Sequence, residues 1–295
     1  MRVFYFNERK MLVEQLRKST KIVDAKERWS EYRSFVTKML MEEIEIGDTV
    51  LILGAGSCSD IDLHELLPYV EKFLLVDKEK EAMEEAIAYY QIPKERVEVL
   101  CTNVWDISEE LLEQKLESSC DIADLLTFLQ EQAKKAMNQP LPDKKVDFIV
   151  NIGLYSQLNA TLASLFYLKR EPYGKTEREA MQKAFSWLNQ QAVEKLNQWM
   201  FSHCKRALVG YEYAVFGTNK KEEEKCRQLE MLLKTGQIEN VSLTQVARVE
   251  GGWQAEGDLA RRYRQGEISL LRDYYAIWNF LKEKQYVMQF YRIAC

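Results

Sequence analysis

Apolar positions along this chain follow two different periods. From residue 8 to 45 they recur at Leu12, Leu16, Ile22, Trp29, Phe35, Met39 and Leu40, near the spacing of one helical face. Gly47-Asp48 marks a turn. Thr49-Val50-Leu51-Ile52-Leu53 is then a short apolar, β-branched run ending at Gly54-Ala55-Gly56, which predicts a buried parallel strand entering a glycine-rich loop. A helix is predicted from about Asp60 to Tyr69, a strand from Lys72 to Asp77, a helix from about Glu79 to Tyr90, a turn at Pro93 and a strand from Val97 to Cys101. Residues 108–138 read as a helical insertion, Val146 to Val150 as a fourth strand, and 155–203 as helix interrupted around Pro172-Tyr173-Gly174. Arg206 to Tyr211 is a fifth strand. The pattern changes at the end, where Tyr274 to Leu281 and Tyr286 to Ile293 are β-rich runs joined by Lys282 to Gln285, the mark of a hairpin. Strands alternating with helices predict an α/β fold: a doubly wound, mostly parallel seven-stranded sheet closed by a C-terminal antiparallel hairpin, with N-terminal helices and helical insertions.

Composition narrows the function. The 295 residues are 46% apolar and 29% charged, enough for a large core, and 12 Gly and 5 Pro leave little room for long flexible linkers. A net charge of −5 argues against a duplex nucleic-acid partner, which would need a basic face to replace counterions. No run of apolar residues is long enough to span a bilayer. MRVFYFNERK has no signal-peptide core, so a cytoplasmic protein is expected. Six scattered cysteines without a CxxC read as reduced thiols, and two distant histidines, His64 and His203, argue against a metal site.

The sharpest chemical signal is TVLILGAGSCSDIDL followed by KFLLVDKE. Gly54 and Gly56 after a strand let the backbone turn and approach a ligand with no Cβ in the way. The N–H groups of a following helix point at the same place. Asp77 closes the next strand, 23 residues beyond Gly54, where an acid accepts hydrogen bonds from both hydroxyls of a ribose. The combination points to an adenosine-containing cofactor. The dinucleotide fingerprint needs a third glycine where this chain has Ser59, which disfavours an NAD-dependent oxidoreductase.

The layout from about residue 45 to 295 resembles the class I S-adenosylmethionine-dependent methyltransferases, whose glycine loop follows the first strand, whose ribose acid ends the second and whose sheet closes with an antiparallel C-terminal strand. The lead-in Ile46-Gly47-Asp48-Thr49-Val50 is similar too. The resemblance implies an N-terminal helical cap (1–45) and an S-adenosylmethionine-binding domain (46–295) with helical insertions near 108–138 and 155–203. It places Gly54, Ala55 and Gly56 against the amino-acid part of the cofactor, Asp77 on the ribose, and Lys78 beside the adenine. It puts Asn103 on the adenine amine with Val104 packed nearby, and Asn151, Ile152 and Gly153 where methyl and substrate meet. Two departures stand out: Ile52 replaces a common acid and Cys58 a common third glycine. Asp60 or Asp62 is then expected to take over the ammonium contact, although Asp60 equally fits a helix N-terminal acid. The departures also motivate an alternative, a non-catalytic cofactor-binding or regulatory module.

Methyl transfer demands little of the protein beyond alignment and exclusion of water, so no catalytic residue is implied outright. Candidates near strand ends are Tyr155, Tyr211 and Glu212, with Gln157 and Tyr213 beside them. Glu212 would serve as a base or bind an amine, and the tyrosines would form an aromatic wall or a cation–π cage. Asn151-Ile152-Gly153-Leu154-Tyr155 lacks the two prolines of the Asn-Pro-Pro-Tyr motif in enzymes that methylate amino groups of nucleic acids and proteins. The expected acceptor is therefore a small molecule or peptide, with a homodimer compatible. Trp278, Tyr274, Tyr275 and Phe280 read as sheet packing, and Arg261-Arg262-Tyr263-Arg264 as a solvated helix face. Tyr5, Trp29, Tyr32 and Phe35 are expected to belong to a lid over the site.

Overall fold

The computed structural model describes residues 12–13, 15–16, 22–118, 121–139, 141–237 and 246–295. Tyr5, the MRVFYFNERK stretch and Cys120 lie outside the described residues. The strands are β1 (Asp48–Leu53), β2 (Val70–Asp77), β3 (Val97–Cys101), β4 (Val146–Ile152), β5 (Cys204–Phe216), β6 (Ala247–Arg248), β7 (Ser269–Leu281) and β8 (Lys284–Ala294). They form one sheet in the order β3-β2-β1-β4-β5-β8-β7, with the short β6 pairing β5 off that path. β1 to β5 run parallel, while β8 is antiparallel to both β5 and β7. The predicted hairpin is present and longer than its aromatic runs, and β6 is an eighth strand too short to leave a period in the sequence.

The helices are α1 (Ala25–Arg28), α2 (Ser30–Glu43), α3 (Leu63–Leu66), α4 (Lys80–Tyr89), α5 (Glu109–Glu117), α6 (Ile122–Asn138), α7 (Ala160–Leu168), α8 (Lys175–His203), α9 (Lys220–Lys234) and α10 (Glu250–Arg264). The helix expected over Asp60 to Tyr69 shrinks to the single turn α3. Asp62 caps its start, accepting from the backbone N–H groups of His64 and Glu65, and Pro68 cannot extend the ladder at its end.

Side-chain alternation sorts the core onto two faces. Val50 and Ile52 of β1 pack with Tyr32, Val36 and Leu40 of α2 and with Met83 and Ala86 of α4. Leu51 and Leu53 pack on the other face with Val193, Leu196 and Met200 of α8, Leu229 of α9 and Leu259 of α10. This is the three-layer arrangement that a sheet buried on both faces requires. A third apolar cluster joins α5, α6, α7 and the first half of α8 around Trp105, Leu125, Leu165 and Leu188. The two predicted insertions thus pack mainly on each other, and α8 ties them to the sheet. The segment read as a solvated basic face is only partly so: Arg262 is 4% exposed, paired to Asp258 at 2.7 Å and Glu267 at 2.8 Å. The fold also brings Cys204 and Cys295 together, with their sulfurs 3.4 Å apart.

The chain passes outward from β1 through β2 to β3, then returns to place β4 on the other side of β1. The loops after β1 and β4 therefore diverge and leave a crevice beyond the C-terminal ends of these strands.

Candidate functional site

That crevice holds a cavity of about 380 Å³. It is lined by the loop after β1 (Gly54, Ala55, Gly56, Ser57, Ser59, Asp60), by Asp77 and Lys78 after β2, and by Thr102 to Trp105 after β3. Ile152, Gly153 and Leu154 after β4 line it as well, as do Trp29, Trp278 and Phe280.

The glycine loop needs its glycines. Gly54 and Gly56 have φ of 65° and 47°, in the left-handed region. A Cβ on Gly54 would lie 3.0 Å from Leu154 Cδ1, whereas one on Gly56 would meet no atom within 4 Å. The backbone at Gly56 therefore offers open space to a ligand. Cys58, at the position of the third glycine, also adopts a left-handed φ of 46°. Its N–H donates to Ala55 O at 2.8 Å and its carbonyl accepts from the Tyr90 hydroxyl at 2.9 Å, contacts that hold a backbone state unusual for a side chain with a Cβ.

Asp77 is half-buried and braces this loop. Its Oδ2 accepts from the Gly56 N–H at 2.9 Å and its Oδ1 from the Glu79 N–H at 2.9 Å. Each carboxylate oxygen keeps a further acceptor site. Lys78 lines the cavity with its amine 3.5 Å from Glu109 Oε1. Asn103 also lines it, but its side-chain carbonyl already accepts from the Trp105 N–H at 3.2 Å, so only part of its acceptor capacity faces a ligand.

The two acids after the loop have different roles. Asp62 caps α3. Asp60 lines the cavity, and burial pushes its carboxyl up to about 6 against the opposing pull of Arg33. Arg33 of α2 donates to the carbonyls of Lys26 and Ser59 and so fixes the end of the loop.

Asn151, Tyr155, Tyr211, Glu212 and Tyr213 do not line the cavity. Asn151 is fully buried with its amide 3.7 Å from Met200 Sδ, because its place in β4 points it into the α8 face. Tyr155 is buried with its hydroxyl 2.5 Å from Asn197 Oδ1, and Tyr211 donates to Gln289 Oε1 at 2.9 Å. Both hydroxyls are satisfied in the core, and burial pushes both well above the usual phenol range, so they form no aromatic wall. Tyr213 is also buried, under the guanidinium of Arg248.

Glu212 differs. It is 1% exposed, its Oε1 accepts from Ser156 Oγ at 2.7 Å, and its Oε2 has no partner. Desolvation pushes its carboxyl up to about 7. It sits directly behind the cavity wall, since a Cβ on Gly153 would lie 3.7 Å from its Oε1 and 3.4 Å from the ring of Trp278. Gln157, on the wall, donates to Ser156 Oγ at 3.2 Å and continues the chain of contacts outward.

The aromatic wall comes from Trp29, expected in a lid, and from Trp278 and Phe280, read as sheet packing. Trp29 and Trp278 meet edge to face at 4.8 Å, Trp29 stacks on Phe280 at 5.6 Å, and Trp278 meets Phe280 at 4.8 Å. Trp29 Nε1 donates to the Phe280 carbonyl at 3.0 Å, which fastens the N-terminal helices to β7. Trp278 and Phe280 therefore both pack and line the site. Their two-residue spacing puts them on one face of β7, but nothing local says which face meets the cavity.

No family model matches the sequence, and no curated protein does either. Solved structures similar to it include an N-methyltransferase, NodS, from Bradyrhizobium japonicum in complex with S-adenosylhomocysteine (9% identity, TM-score 0.42, 89% of this chain and 86% of that one). A SAM-dependent methyltransferase from Aquifex aeolicus is similar at 14% identity, with TM-score 0.41 over 96% of this chain and 98% of that one. An S-adenosylmethionine-dependent methyltransferase from Clostridium acetobutylicum is similar at 10% identity, with TM-score 0.39 over 98% of both chains. The strand order and the cavity of this chain, rather than these distant likenesses, bear on its chemistry.

Proposed function

We propose that this protein is an S-adenosylmethionine-dependent methyltransferase acting on a small molecule or a peptide. One observation carries the reading: a single cavity runs from the Gly54–Gly56 loop and Asp77 to the residues after β4. The cofactor end and the acceptor end of a transfer reaction would thus share one enclosure.

The residues fit the cofactor's chemistry. Gly56 leaves its approach open, Asp77 keeps acceptor capacity for two ribose hydroxyls, and Val104 supplies an apolar flank. Asp60 is a carboxylate on the cavity wall suited to an ammonium, the role that the acid missing at Ile52 would have filled. Lys78 lends its stem beside the adenine. When bound, S-adenosylmethionine supplies a methyl group already activated on a sulfonium, so the chain need not activate it. Ile152, Gly153 and Leu154 align the acceptor at the end of β4, and Trp29 and the N-terminal helices exclude water. Glu212 is the titratable group suited to hold a proton on its unpartnered Oε2.

Calorimetric titration with S-adenosylmethionine and, separately, S-adenosylhomocysteine tests the reading. Micromolar binding of either supports it. No heat and no thermal stabilisation, in folded protein free of carried-over ligand, would overturn it.

A further inference from the structure

The aromatic part of the cavity has a chemical character of its own. Trp29, Trp278 and Phe280 place three aromatic rings in mutual contact around it. The faces of such rings carry partial negative charge and attract cations. Behind them lies Glu212, across the gap that Gly153 leaves open.

Three buried polar atoms at this end have no partner: Glu212 Oε2, Trp278 Nε1 and the Tyr32 hydroxyl oxygen. Tyr32 stacks on Trp278 at 5.0 Å, and its hydroxyl feels the charges of both Asp60 and Glu212. Unpaired buried polar groups are costly and call for an explanation such as a ligand or ordered water. Among the described lining residues the basic one is Lys78, on the cofactor side beside Glu109. Lys284, whose ammonium lies 6.0 Å from the centroid of the Phe280 ring, is not among the residues lining the cavity.

Resting on the methyltransferase reading, we propose that this aromatic end is the acceptor subsite and that it takes a primary or secondary amine on a small apolar body, bound as its ammonium; one proton passes to the Glu212 carboxylate, and the freed nitrogen lone pair then takes the methyl as its bond to sulfur breaks and S-adenosylhomocysteine leaves. Trp29 and Phe280 cover one face of each other and Tyr32 covers one face of Trp278, so the cation meets the remaining surfaces of the rings that line the cavity, and the buried carboxylate of Glu212 holds the subsite negative from behind. Glu212 receives on its unpartnered Oε2 the proton that the acceptor nitrogen sheds. The groups facing it are Ser156 on the loop after β4, Tyr32 on α2, and Lys284 and Tyr286 on β8, with Trp278 of β7 across Gly153. Ser156 donates to Oε1 and leaves Oε2 unpaired, while Lys284 is a half-exposed cation that tempers the field without cancelling it.

The test is calorimetry on protein saturated with S-adenosylhomocysteine. The probes are phenyltrimethylammonium, phenethylammonium, the neutral 2-phenylethanol and the anion phenylacetate. Both cations are expected to bind at least about tenfold more tightly than the neutral and anionic probes. Glu212→Gln and Trp29→Leu are each expected to weaken the cations several-fold, and more than they weaken S-adenosylhomocysteine, with folding checked by circular dichroism. The wild-type preference for cations should grow as pH rises through about 7, and grow less in Glu212→Gln, where Asp60 on the same wall still ionises near 6. The wild-type comparison needs no variant and decides the matter even if a variant misfolds. Equal affinity for charged and neutral probes, preference for the anion, or no binding of either cation overturns the subsite. If S-adenosylhomocysteine does not bind but the cations bind selectively to the ligand-free protein, the subsite stands as a cation site and the methyltransferase reading falls. If the reverse holds, that reading stands and the amine acceptor falls.

Discussion

The backbone N–H of Gly56 donates to Asp77 Oδ2 at 2.9 Å, so the acid that closes β2 also holds the glycine loop after β1. The pair is both a structural brace and the centre of the proposed cofactor site. Asp77→Ala removes a charge-assisted bond to Gly56 as well as the ribose acceptor. Affinity for S-adenosylhomocysteine should fall at least about tenfold, since each hydrogen bond to a charged group is worth roughly 1.5–3 kcal/mol. Asp77→Asn keeps an acceptor for one of the two N–H groups and should lose less. Calorimetry on both variants checks the order, and unchanged affinity in Asp77→Ala would remove Asp77 from the site.

Gly56→Ala separates backbone strain from occupancy. Its φ of 47° imposes strain of about 1–2 kcal/mol on any residue with a Cβ, while no protein atom stands in the way. Gly47→Ala, at φ 94° and also free of contacts, lies at the opposite end of β1. Both variants should lose stability in urea unfolding, but only Gly56→Ala should lose cofactor affinity.

The buried carboxyl of Glu212 makes stability depend on pH. Its pKa rises on folding from the ordinary 4.5 to about 7, so the folded state holds the proton more tightly than the unfolded chain. Stability from this group is full below about 4.5 and falls as pH rises to about 7, by a total on the order of 3 kcal/mol. Glu212→Gln should therefore gain stability over the wild type as pH increases from 5 to 8. Parallel melting curves would refute the assignment.

Gly252, at the start of α10, allows that helix to rest on β5. A Cβ there would lie 2.0 Å from the backbone oxygen of Glu212, and one on Gly251 would lie 2.7 Å from that of Tyr155. Backbone cannot step aside as a flexible side chain can. Gly252→Ala should cost about 3 kcal/mol or more and displace Glu212. The loss should appear in the unfolding midpoint together with a weakened response to the cationic probes. By contrast, Gly257→Ala, on the same helix with nothing within 4 Å, should be neutral or stabilising.

The sequence by itself determined the parts set by local pattern. The apolar runs of β1 and β4, the break at Gly54-Ala55-Gly56 and the acid at Asp77 are contiguous signals. A buried strand must be apolar on both faces, and a left-handed turn selects glycine. Tertiary structure decided which end of the cavity is aromatic and which acid lies behind it. Trp29, Gly153, Glu212 and Trp278 come from four separated segments that meet only when the N-terminal helices, the loop after β4, β5 and β7 pack. Tyr211 and Glu212 show the same limit at one position. They are neighbours in the chain, yet the pleat turns Tyr211 into the core against Gln289 and Glu212 toward Gly153. A strand offers its side chains alternately to two faces, and only the layers packed on those faces make one of them core and the other a site.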